Sequence, residues 1–265
     1  MPASNALTEH VGAIALPSDV VTQVDAALAA TKKPLCTPRP DASLLRAKLA
    51  AGATTAAELL RSPQTAIGPG DAALVGQLVA RVVERRDVVL DGDADVLLDQ
   101  SVSPRRGHVC VPGSLVVRGD LRVVAPLVVC GDLDVSGMIV DCGPQSVIVV
   151  LGDVNCRVLR TTGEVLVYGS LRASGFVWGY YNDNVLEVHG TLAAPVIMAD
   201  DHAIEAGTIE VVHRPPGRGD WGADIFDMGR AHRHALAALV RDPAVVIDGD
   251  VDIEALARLA RPWAS

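Results

Sequence analysis

Between Val111 and Val212 the chain is written in short apolar runs of Val, Leu and Ile, each broken by glycine followed by a small polar residue. The breaks are Gly113-Ser114, Gly119-Asp120, Gly131-Asp132, Gly152-Asp153, Gly169-Ser170, Gly190-Thr191 and Gly207-Thr208. From Gly131 onward their spacing is 21, 17, 21 and 17 residues, a 38-residue period seen twice. Superposing 131–168 on 169–206 sets Ser136-Gly137 on Ser174-Gly175, Met138-Ile139 on Phe176-Val177, and Val158-Leu159 on Val196-Ile197. Apolar positions match while polar ones drift. Stacked rungs impose that rule, because only the inner side chains are buried against the neighbouring rung. The runs Val147–Leu151, Val165–Tyr168 and Val185–His189 are rich in β-branched residues and predict strands of four to six residues with glycine at the corners. No helical stripe crosses this region without meeting Gly or Pro.

The flanks read differently. Over 1–105, Ser18 is placed to cap a helix bearing Val20, Val24, Ala27 and Leu28, and Pro34, Pro38 and Pro40 mark a linker. A second helix is predicted near Ser43–Ala50. Thr55 and Glu58 form a capping-box pattern ahead of Leu59, and a longer helix is expected from Asp71 to Arg86. Asp87–Leu98 reads as a first, imperfect rung and Ser101–Gly107 as a loop. After the linker Pro215–Gly219, a helix is expected over Asp224–Val240, a short strand over Val245–Asp248 and a final helix capped by Asp250 or Asp252. The expectation is an α+β chain: a helical region over 1–105, a single-stranded β-solenoid over 106–214, and a helical region over 215–265 placed to cap it.

The block Gly131–Thr208 resembles the Gly-x-Leu-x-Val-x-Gly-Asp-Leu β-solenoids of bacteria, the polymer-forming bactofilins among them. Gly179-Tyr180-Tyr181-Asn182, Leu186–Leu192 and Asp200-Asp201-His202 resemble solenoid proteins found beside bacterial toxin systems. The resemblance covers the middle of the chain. It implies a right-handed solenoid and a protein that works by association.

Composition narrows the function classes. The formal charge is −9, which argues against nucleic acid or an anionic membrane surface and favours a basic protein partner. Aromatics make up 3% of the chain against 49% hydrophobic residues, the balance of a narrow aliphatic core. Cys36, Cys110, Cys130, Cys142 and Cys156 are odd in number and form no Cys-x-x-Cys, so they read as free thiols, with neither a disulfide framework nor zinc expected. No basic and apolar leader pattern opens the sequence, and a cytoplasmic location is expected. No P-loop, Gly-x-Ser-x-Gly or His-Glu-x-x-His occurs, and neither a cofactor nor a metal is expected.

Candidate contact residues are Trp178, Tyr180, Tyr181 and Asp183 in one aromatic corner, and Asp200, Asp201 and His202 in the next. Trp and Tyr are favoured interface anchors, although a corner loop folded onto the solenoid flank would bury them as simple packing. Asp200-Asp201-His202 has the residue types of a metal or proton-relay site, but Asp is also an ordinary corner residue. His189 is a further partner for His202 if the two share an outer face. His232 and His234 do not share a helix face.

Three functional readings follow. The first is a non-catalytic solenoid, monomeric or a small homo-oligomer, that binds a protein partner, most concretely an immunity-type protein neutralising a basic toxin domain. The second is a bactofilin-like self-associating structural protein, with outward Val149 and Leu151 as an apolar stripe for lateral packing. The third is a hexapeptide-type acyltransferase, whose spacing in sixes only Gly113, Gly119 and Gly131 obey.

Overall fold

In a computed structural model, residues 5–7, 13–61, 67–96, 108–141, 143, 146–181, 184–217, 219–220, 222–229, 232, 234–260 and 262–263 are described. Asp183, Cys142 and the Ser101–Gly107 loop lie outside them.

The chain opens with a short strand β1 (Asn5–Ala6), then helices α1 (Val24–Ala30), α2 (Ala42–Ala50), α3 (Ala56–Leu60) and α4 (Pro69–Val82). The expected capping box is present: the Thr55 side chain accepts from the Glu58 N–H, while the Glu58 carboxylate accepts from that of Thr55. Asp41 caps α2 through the Ser43 N–H.

The solenoid begins with β2 (Val88–Asp91) and β3 (Ala94–Val96), where the Asp87–Leu98 rung was expected. A turn then consists of β4 (Val109–Val111), β5 (Leu115–Arg118) and β6 (Leu121–Val123), and the next of β7 (Leu127–Val129), β8 (Leu133–Val135) and β9 (Met138–Asp141). Later strands bend round corners. The third turn is β10 (Val147–Val150) with β11 (Val154–Thr161), the fourth β12 (Glu164–Val167) with β13 (Leu171–Tyr180), and the fifth β14 (Val185–Ala194) with β15 (Val196–Asp200). β16 (Ala203–Val211) and β17 (Phe226–Asp227) are the last strands of the coil. It is a parallel β-solenoid of about five turns.

Register divides the strands into three faces. The first face carries the ladder Val89, Val116, Asp134, Asn155, Arg172, Ala193, Glu210. The second face runs β1, β3, β6, β9, the end of β11, the end of β13, β15 and β17. The third is β4, β7, β10, β12 and the first halves of β14 and β16.

The interior is aliphatic, with Leu115, Leu121, Leu127, Leu133, Leu171, Leu186 and Leu192 fully buried. The outer surfaces differ, and the sequence of each strand says why. On the first face apolar and polar residues alternate, as in Leu133-Asp134-Val135 and Leu171-Arg172-Ala173, the pattern of a sheet wet on one side. On the third face the runs are nearly continuous, as in Val147–Val150, because both sides are covered. Ile148 and Val150 face the interior, while Val149 and Leu151 lie beneath the N-terminal helices. The stripe expected to support lateral self-packing is therefore occupied by the chain's own α4. There Gly76 allows close approach: a Cβ on it would sit 2.8 Å from Val128 Cγ1.

The second face is covered by the C-terminal region. Val158, Phe176, Val196 and Met198 pack against Leu236, Leu256, Ala257 and Trp263, and the Trp263 indole N–H donates to the Gly175 carbonyl at 2.7 Å. Among the described residues of Asp224–Val240 the expected helix is absent. Phe226 pairs with Met198 as part of β17, Ile225 enters the solenoid interior, and Leu236–Leu239 makes a 3-10 turn. Strand pairing and burial outweigh the local helix propensity. A hairpin of β18 (Val246–Ile247) and β19 (Asp250–Val251) follows, then α5 (Ile253–Arg258), capped by Asp252.

Leu7 beside β1 and Ile225 beside β17 are 0% and 1% exposed and belong to the interior cluster. Each covers one end of the coil alongside a short strand that extends the second face.

Candidate functional site

The aromatic residues singled out in the sequence meet at the corner between the second and third faces. Trp178 and Tyr180, two apart on β13, stand on the same side of the strand and stack at 4.6 Å between ring centroids. Arg160, one turn earlier on β11, lies over both rings at 5.2 and 5.1 Å. Its guanidinium also pairs with Glu254 of α5 and donates to the Tyr180 hydroxyl at 3.3 Å. Such a cation–π layer contributes about 0.5–2 kcal/mol. Trp178 and Tyr180 thus join the solenoid to the C-terminal region. Sequence reasoning missed Arg160; its signal is that it is one of the two cations, Arg157 and Arg160, that bracket the apolar pair Val158-Leu159.

Tyr181 behaves otherwise. It is 54% exposed and its φ is +84°. Its N–H donates to the Asp200 carbonyl at 3.0 Å. Asp201, one turn later, also has a positive φ of +55°. Left-handed backbone at a residue with a side chain costs about 1–3 kcal/mol and persists only where surrounding contacts hold it. His202 is one such contact. Fully buried, it places Nδ1 3.2 Å from the Tyr181 carbonyl oxygen. Burial lowers its pKa despite the bond to that carbonyl. A carbonyl oxygen only accepts, so Nδ1 is the nitrogen that donates. Gly179 makes room for the ring: a Cβ there would lie 2.5 Å from His202 Cδ2. The Asp200 carbonyl and the His202 ring together are therefore a corner lock that holds the Tyr181 backbone.

Val140, Asp141, Gly143, Arg160, Thr162, Tyr180 and Tyr181 line a cavity of about 340 Å³ at this corner. Asp141, 2% exposed, forms part of its wall. Its carboxylate accepts from the Thr161 hydroxyl at 2.5 Å, the Thr162 N–H at 2.6 Å and hydroxyl at 2.9 Å, and the Gly163 N–H at 3.0 Å. Burial raises its pKa against those bonds.

A second polar cluster sits where the linker after α1 crosses the third face. Glu187 is fully buried and accepts from the backbone N–H groups of Leu35 at 2.9 Å, Cys36 at 3.1 Å and Thr37 at 2.8 Å. The Cys36 Sγ lies 3.3 Å from Glu187 Oε2, and His189 Nε2 lies 2.8 Å from Oε1. The His189 ring meets that of Tyr168 tilted at 50° with centroids 5.0 Å apart, and the Lys32 ammonium lies 5.7 Å from the Tyr168 ring centroid while donating to the Tyr168 carbonyl. Thiol, imidazole and carboxylate are the parts of a nucleophilic trio, but the chemistry runs the other way. Although Cys36 is exposed as a residue, desolvation of its thiol, then the Glu187 bond and charge, push the thiol up to about 12, whereas a nucleophile needs its thiolate near neutral pH. Burial raises the pKa of Glu187, but the N–H groups together outweigh it and hold the carboxylate below its ordinary value. The cluster fastens the linker to the solenoid. Its sequence signal is the one carboxylate in the apolar run Val185-Leu186-Glu187-Val188.

His189 and His202 engage different partners, so the pair considered from the sequence does not form. Asp200 is half-buried and Asp201 exposed beside Tyr181. Among the described residues no group of three or more His, Cys, Asp or Glu is placed to hold a metal, and no helix is long and apolar enough to cross a membrane. Comparison with known proteins finds no matching family model, no matching curated protein and no matching solved structure.

Proposed function

We propose that the chain is a non-catalytic scaffold that binds another protein, most concretely an immunity-type protein that binds and neutralises a bacterial toxin in the cytoplasm. The observation that carries this reading is Tyr181, a large side chain left 54% exposed on a left-handed backbone and held there by His202 and Asp200. Strain of that kind presents a side chain at a fixed position, as an interface anchor requires. The adjoining cavity and the acidic Asp200-Asp201 corner extend the contact area. The net charge of −9 suits a basic partner, since complementary charge speeds encounter. The first face, with its outward Asp134, Asn155 and Arg172, supplies further flat polar surface.

The test is a photoreactive amino acid at position 181, expressed in the native host, with position 21 as control, since Val21 is exposed at 49% on the N-terminal helices. The reading predicts a crosslink from 181 to one discrete basic protein and none from 21. No specific adduct from 181 overturns it. A bactofilin-like self-association is the second reading. It is favoured by β16, which pairs with β14 on one side only among the described strands.

A further inference from the structure

The end of the coil opposite Leu7 is closed unevenly. On the second face β17 and Ile225 cover it, but β16, spanning the other two faces, has no strand on its outer side among the described residues. The side chains that β16 turns inward show the consequence. Ala206, Ile209 and Val211 are only partly buried, whereas their register partners one turn earlier, Val188, Leu192 and Ala194, are 0%, 0% and 5% exposed. The rung lacks the layer that each earlier rung has. Outward, β16 carries two exposed carboxylates, Glu205 and Glu210, and no basic residue. Glu205 stands in register with Glu187. The earlier carboxylate is satisfied by three backbone N–H groups, and the later one faces solvent. Beside the same edge a cavity of about 490 Å³ opens between Arg172, Pro195, Glu210 and Val212, the last 73% exposed.

We propose that the outer edge of β16 takes an extended segment of the protein partner as one further parallel rung. The segment recognised has aliphatic side chains facing Ile204, Ala206, Ile209 and Val211, basic side chains facing Glu205 and Glu210, and a glycine at the bend opposite Gly207. The unpaired N–H and C=O groups of an edge strand supply the affinity, and the alternation of side chains supplies the selectivity. A cation directly across from a carboxylate stabilises a strand pair, whereas a like charge destabilises it. This inference rests on the reading of the chain as a protein-binding scaffold and names the chemistry of the partner.

The experiment measures the fluorescence anisotropy of two labelled peptides against the full chain, Val-Arg-Val-Gly-Thr-Val-Arg-Val and the same sequence with Glu in place of Arg. The basic peptide is expected to bind saturably and at least about tenfold more tightly than the acidic one, weakening with salt. The double variant Glu205→Lys/Glu210→Lys is expected to reverse that preference, with its thermal transition unchanged because both side chains are exposed. Absence of saturable binding, or equal binding of both peptides to both proteins, overturns the proposal. So does a concentration-dependent rise in mass that the double variant abolishes, because a second copy would then own the edge. If the peptides fail while the crosslink from position 181 persists, the edge proposal falls and the scaffold reading stands.

Discussion

His202 places its Nδ1 3.2 Å from the carbonyl oxygen of Tyr181, one turn earlier in the coil, and so ties two corners with left-handed backbone to each other. The imidazole fits because residue 179 has no side chain. Gly179→Ala is predicted to force the ring aside and destabilise the protein by about 1–3 kcal/mol, the usual range for overpacking a filled site. Denaturant unfolding checks this. If His202 were instead free to move, the variant would unfold at the wild-type midpoint.

Glu187 anchors the linker through three backbone N–H groups, and hydrogen bonds to a charged acceptor contribute about 1.5–3 kcal/mol. Glu187→Gln is predicted to lower stability by about that amount and to speed hydrogen exchange at Leu35, Cys36 and Thr37. Alkylation of Cys36 by iodoacetamide should be slow at pH 8 in the native protein and faster in the variant, because desolvation still raises the thiol but the carboxylate charge that adds to it is gone.

Leu7 and Ile225 cover the two coil ends where the second face ends. Leu7→Ala and Ile225→Ala are each predicted to cost about 2–5 kcal/mol, as for other buried aliphatic truncations. The two costs should add, since the residues sit at opposite ends of the sheet. Single and double variants in urea measure this directly.

Acid should weaken the fold above the carboxylate range. Burial lowers the pKa of His108 to about 4, with Arg61 and Lys48 adding to the effect, and burial also lowers those of His189 and His202. Each binds fewer protons folded than unfolded. Their contribution is intact above about pH 6.5 and is lost as pH falls towards the folded value, with a slope of up to about 1.4 kcal/mol per pH unit per group. Asp141 and Glu164, raised by burial, act in the opposite sense from the carboxylate range upward, so the histidine term is isolated by substitution. His108→Gln should flatten the loss between pH 6.5 and 4. An unchanged slope would mean that His108 titrates normally in the folded chain.

The repeat was legible because each rung must bury its inner residues and turn its corners at Gly131, Gly152, Gly169, Gly190 and Gly207. Which flank is covered was also written in the strands. Val147–Val150 has no polar position and needs cover on both sides, whereas Val154-Asn155-Cys156 and Leu171-Arg172-Ala173 alternate and lie on an open face. What covers Val149 was not legible, because a long-range contact with α4 leaves no mark near Val149 itself. The C-terminal segment misled for a related reason. Asp224–Val240 reads as a helix locally, but Phe226 pairs with Met198 and Ile225 enters the core, so at those residues the backbone follows the sheet. At the aromatic corner, residue type pointed to Trp178, Tyr180 and Tyr181 together. Only Arg160 and Glu254, distant in sequence, separate the two rings held in packing from the one left exposed. Asp183 falls outside the described residues.

The central claim is that the apolar flanks of this solenoid are spent on its own chain, leaving a discrete particle that presents its corner and edge to another protein. Light scattering after size exclusion, across a concentration series of the full chain, tests it most directly. The account predicts a constant mass, that of a monomer or one small oligomer. Steady growth into long polymers with concentration would contradict it and place self-assembly first.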